Sequence, residues 1–119
     1  MAAALNPADL AGNWRVQGMT ETSDSVIVEY TMTATADLTT WVLNLTGRPP
    51  ITPTVMVAGD SVVMDAGPYE SVLRPGVQVT THSVSRMQGA ELVGTVTARY
   101  ATSAGDSVVT LRSRATRVP

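Results

Sequence analysis

The chain of 119 residues has no cysteine, no phenylalanine and no lysine, and a single histidine, His82. Without cysteine there is no disulfide, no thiolate nucleophile and no thiolate-ligated metal. Without lysine there is no lysine Schiff base. Eight arginines stand against ten acidic residues, and the formal net charge of -2 gives no general attraction to nucleic acid or to an anionic membrane. No apolar run approaches membrane-spanning length. The opening MAAALNPADL lacks a basic region followed by a long apolar one, so it does not read as a signal peptide. A cytoplasmic protein and the mature segment of an exported one both fit that reading. One His and scattered carboxylates offer no metal-ligand spacing, no glycine-rich phosphate loop appears, and no cofactor is implied.

Hydrophobic residues nonetheless make up 44% of the chain, with Val and Thr abundant and good helix formers scarce. That composition points to a sheet-dominated fold with an aliphatic interior. The length suits one domain, residues 1–119. NPADLAG is short enough for one helical turn, with Asn6 or Asp9 as its cap. From Asn13 onward the pattern alternates with period two. Trp14 and Val16 share a face, as do Val26, Val28, Tyr30, Met32 and Ala34, and again Trp41, Leu43 and Leu45. Leu92, Gly94, Val96, Ala98 and Tyr100 share another, and Val109, Leu111, Ser113 and Ala115 a fifth. Pro49, Pro50 and Pro53 remove backbone donors and mark the longest loop or an edge. Turns fall at Ala58-Gly59-Asp60, Arg74-Pro75-Gly76, Gln88-Gly89-Ala90 and Ser103 to Asp106.

Eight main strands result, with a short ninth at Tyr69 to Leu73. Strands joined this closely favour an antiparallel meander, and closing it removes the exposed edges. The expected fold is all-β, a small antiparallel up-and-down barrel of about eight strands. A two-sheet sandwich is the alternative, because alternation does not say which strands pair.

Gly12-Asn13-Trp14 on the first strand, preceded by ADLAG, resembles the calycin group of lipocalin-like and avidin-like barrels. The resemblance implies a structural Trp14 at a closed barrel end, with Gly12 letting the lead segment pass and a late arginine packed over the indole. Arg112 is preferred over Arg114 for that part. The chain is shorter than a typical lipocalin, and no biotin-contacting residues can be placed on it.

A barrel of this size either fills its middle or holds one small ligand. Met32, Trp41, Leu43, Met56, Met64 and Leu73 are its large apolar side chains, spaced by Ala34, Gly94 and Ala98. The expected function is binding of a small, largely hydrophobic molecule in the interior. Val28, Met32, Trp41, Leu43 and Tyr100 form the walls, and Tyr30 and Tyr69 orient a polar end. A small-barrel isomerase, cyclase or hydrolase is the second reading. There Asp65 or Glu70 moves a proton at the rim and Tyr69 or Arg74 steadies charge. His82 is the residue whose reference pKa suits a general base, but Val77, Val79 and Thr81 mark the opposite face of its strand and put it on the surface with Arg86. A structural barrel that forms a homo-oligomer is the third reading, with Ile27, Val108 or Val109 facing outward. Asn44-Leu45-Thr46 formally matches a glycosylation acceptor.

Overall fold

The computed structural model of the chain describes residues 7–45, 49–71, 76–102 and 105–118. A four-residue helix, α1 (Pro7–Leu10), leads into β1 (Gly12–Thr20) and β2 (Val26–Ala34). The remaining strands are β3 (Val42–Asn44), β4 (Thr54–Ala58), β5 (Ser61–Glu70), β6 (Gln78–Gln88), β7 (Glu91–Thr102) and β8 (Gly105–Arg117). All pair antiparallel in one sheet, in the order β3-β2-β1-β8-β7-β6-β5-β4, which curls into a half-barrel. The fold is thus the expected all-β, up-and-down arrangement of eight strands. No helix among the described residues is long and apolar enough to cross a membrane.

First and last strands join side by side, with Trp14 opposite Arg117 and Gly18 opposite Ser113. The opening of the sheet lies elsewhere, between β3 and β4, where the prolines are. Pro49, Pro50 and Pro53 have no N–H to offer a ladder. Ile51 does, and it makes one antiparallel bridge across the seam: Leu43 N donates to Ile51 O at 2.7 Å and Ile51 N donates to Leu43 O at 2.9 Å.

Alternation sorts the side chains as expected. Trp14, Val16, Met32, Ala34, Leu92, Ala98, Leu111 and Ala115 are buried, while Glu29, Thr80, Thr95 and Arg114 on neighbouring positions are exposed. Two expectations about strands and faces need correction, at Tyr69-Glu70 and at Met56. Tyr69 and Glu70 do not begin a ninth strand; they continue β5, whose register against β6 shifts between Ala66 and Tyr69 and resumes at Tyr69 opposite Val79. Strand pairing skips Gly67 and Pro68 and then goes on, a bulge rather than a break. Val72 and Leu73 lie outside the described residues, as does the turn at Arg74-Pro75. Met56 faces outward and is 57% exposed, because Val55 takes the inward position on β4 and packs against the core.

The curl brings β6 and β7 very close at Gly94. A Cβ there would lie 1.9 Å from Val84 O and 2.6 Å from Ser85 Cα, so no side chain fits without moving backbone.

The end of the half-barrel carrying α1, the start of β1 and the end of β8 forms its floor. Trp14 is fully buried there and its Nε1 donates to Leu10 O at 2.9 Å. Trp41 is equally buried and its Nε1 donates to Thr35 O at 2.8 Å. Each indole therefore buries its apolar body while its polar atom stays satisfied. The guanidinium over Trp14 belongs to Arg117, 4.4 Å from the ring centroid. Arg117 Nη1 donates to Ala11 O at 2.9 Å and Nη2 donates to Asp9 O, tying the lead segment to the last strand. Gly12 makes room for this clasp. Its φ is 137°, a region that side chains rarely adopt, and a Cβ would stand 3.1 Å from Arg117 Nη1.

Arg112, the expected closing arginine, is instead at the opposite end. Its Nε donates to Thr20 O at 3.0 Å and its Nη2 to Ser23 O at 2.6 Å and Asp24 Oδ1 at 2.8 Å, holding the β1–β2 connection. Alternation explains the exchange. Arg112 and Arg114 take outward positions, whereas Arg117 shares the inward parity of Leu111, Ser113 and Ala115 and lies in register with Trp14.

Candidate ligand cavity

Above the floor the inward side chains become small. Gly18 on β1, Ala66 on β5, Ala98 on β7 and the serines at 83 and 113 occupy positions where a leucine would reach the axis. They leave a cavity of about 80 Å³, walled on its apolar side by residues such as Val28, Leu45, Val79, Val96 and Leu111. At ~10–15 Å³ per water on such a measure, it has room for roughly five to eight waters. A smaller void of about 30 Å³ lies below, between Met32, Trp41, Val62 and Leu92. Val16, Tyr30, Met64, Ser83, Val96 and Ser113 border both, so this ring of side chains marks the junction between the two spaces.

Of the expected ligand-contacting residues, Val28, Tyr30, Leu43, Tyr69 and Tyr100 line the larger cavity. Met32 and Trp41 border only the smaller void and belong to the floor. The serines were not anticipated. Their signal lay in the alternation, since Ser83 follows Val79 and Thr81 on the inward face of β6 and Ser113 sits between Leu111 and Ala115 on β8.

Burial holds the Tyr30 phenol well above its ordinary value, with the nearby Tyr69 phenol as a second cause, so it remains protonated and neutral across the physiological range. Tyr30, Ser83 and Ser113 show no side-chain hydrogen bond to any described residue. Among the described residues no fully covered side-chain oxygen or nitrogen lacks a partner. The three hydroxyls therefore keep their oxygen surface on the cavity rather than against protein. Among the described residues, no arginine, histidine or carboxylate lines either space.

The candidate acid–base residues lie elsewhere. Asp65 and His82 are directly opposed on β5 and β6, with Nδ1 and Oδ1 2.7 Å apart and each side chain 52% exposed. They sit on the outer face, because Met64 and Ala66 on one strand and Thr81 and Ser83 on the other take the inward positions. His82 is thus on the surface, as its parity predicts, while Asp65 is not a rim group facing the interior. Glu70 is exposed and Tyr69 inward, so those neighbours do not share a site. Arg74 lies outside the described residues, as does Thr46 of the glycosylation motif.

No protein-family model matches the chain, and no curated protein or solved structure is significantly similar to it.

Proposed function

We propose that this protein binds a small, largely apolar molecule inside a calycin-like half-barrel. The observation that carries the reading is the space of about 80 Å³ with mainly aliphatic walls, placed over a more tightly filled floor whose own void is about 30 Å³. Arg117 stacked on Trp14, beside Gly12-Asn13-Trp14, adds to the likeness to calycin barrels. The driving force is removal of apolar ligand surface from water. A ligand burying about 200 Å² gains ~5 kcal/mol, which sets about 0.2 mM as the tightest binding expected of small probes before the cost of association weakens it. The rim-carboxylate enzyme gains no support, because none of the described residues on the cavity walls is a carboxylate and Asp65 is engaged on the outer face.

Binding is tested by titrating isotope-labelled protein with a panel of small neutral apolar molecules at millimolar concentration and following backbone amide shifts. Shifts concentrated on Gly18, Val79, Val96 and Ala98 are expected. Their absence across the panel, or shifts confined to outward-facing residues, overturns the proposal.

A further inference from the structure

The described side chains that line the cavity are all uncharged, and several carry hydroxyls. Its upper walls set Val28, Leu45 and Val79 beside Tyr69, Thr81 and Tyr100; its lower boundary is the ring that contains Tyr30, Ser83 and Ser113. These hydroxyls come from β2, β6 and β8, three separate parts of the curled sheet. Ser83 and Ser113 are 8% and 7% exposed, and none of the three side chains is bonded to a described protein group. A deeply placed hydroxyl without a protein partner is satisfied by whatever fills the space, water or ligand. The hydroxyls can donate or accept, so they suit an alcohol, a ketone or an amide oxygen equally. They provide no cation for a carboxylate and no anion for an ammonium. Taking an ion into this space leaves it without a counter-charge from any described residue, a large penalty.

We infer that the Tyr30, Ser83 and Ser113 hydroxyls form a collar that selects uncharged ligands carrying one oxygen. This rests on the binding function proposed above and adds to it the ligand class.

Three probes of similar size separate the two ideas: benzyl alcohol, toluene and benzoate, each titrated at neutral pH with amide shifts as the readout. Benzyl alcohol is expected to bind on the order of fivefold more tightly than toluene for each hydrogen bond made. Benzoate is expected to be weaker than benzyl alcohol by on the order of a hundredfold. In Ser83→Ala and Ser113→Ala the advantage of benzyl alcohol over toluene should shrink while toluene binding is retained. Tyr30→Phe, which preserves ring packing, should act in the same direction. If none of the probes binds, the cavity-binding function itself fails. If toluene matches benzyl alcohol, or benzoate binds as well as either, the cavity function stands and the collar is overturned. The wild-type comparison alone decides this, so loss of folding in any one variant does not rescue the inference.

Discussion

At the floor of the half-barrel each indole N–H has a fixed acceptor, and Arg117 ties the lead segment to the last strand across Trp14; one turn of side chains higher, three hydroxyls have no partner among the described residues. Both regions are built by the same strands with the same alternation. Trp14 and Gly18 are both inward on β1, and Ser113 and Arg117 have equal parity on β8. The difference lies in side-chain volume. Trp14, Trp41, Met32 and Leu92 crowd the interior and leave a void of only about 30 Å³, whereas Gly18, Ala66, Ala98, Ser83 and Ser113 leave about 80 Å³. One half of the interior is specified as a core and the other as a space.

The strongest way to break this contrast is at the floor. Trp14→Ala should cost ~3–5 kcal/mol of stability in chemical denaturation, from lost packing together with an orphaned Leu10 carbonyl. An unchanged midpoint would show that the floor is not what holds the barrel together. Next in size is the comparison of two arginines on β8. Arg117→Ala removes a ring contact and two links to the lead segment and should lower stability by ~1–2 kcal/mol. Arg112→Ala should cost less, because its three hydrogen bonds, to Thr20 O, Ser23 O and Asp24 Oδ1, hold only the exposed β1–β2 connection and no buried ring. Equal effects would mean that closure is shared between the ends.

In the space above, the expected sign reverses. Ala98→Leu puts carbon into an existing cavity, so stability should change by less than ~1.5 kcal/mol in either direction while probe binding is lost. A large destabilisation would indicate a wall already close-packed. Tyr30 offers a finer test. Its folded-state pKa is raised, so the associated stability is present below the unfolded value of about 10 and is lost as pH rises through the higher folded value. Tyr30→Phe should therefore flatten the alkaline decline in stability seen by denaturation between pH 9 and 11, a window taken as about one unit either side of that reference. The smallest expected effect is at the β1–β2 connection. The Arg112 hydrogen bond, and then its charge, hold the Asp24 carboxyl below its ordinary value of 3.8. That contribution is present above the unfolded value and disappears as pH falls through the lower folded one, so the Arg112→Ala difference should narrow in acid. Asp24 is exposed, and added salt should narrow it as well.

Much of the wall was legible from residue order. The faces of β1, β6, β7 and β8 followed from period two, and with them the surface position of His82 and the inward one of Tyr100. The same rule applied one step further along β6 and β8 reaches Ser83 and Arg117, but serine on an apolar face and arginine at a strand end read as solvated positions when no partner strand is known. Met56 misled because β4 has apolar residues on both sides, at Val55, Met56 and Val57, so parity alone had nothing to choose between. Asp65 looked like a rim residue because Gly67-Pro68 resembles a strand end; β6 continues to pair with Tyr69 and Glu70 beyond it.

By itself, the amino-acid order determined that this chain forms strands, where most of them turn, and which alternate side chains go inward, because the two-residue period and the turn residues are local properties. Only the tertiary structure decided that β1 lies against β8, that the seam falls at the prolines between β3 and β4, that Arg117 caps Trp14, and that three hydroxyls from distant strands meet around one space. Those outcomes depend on register and curl, which are set by how the whole sheet closes over its large and small side chains.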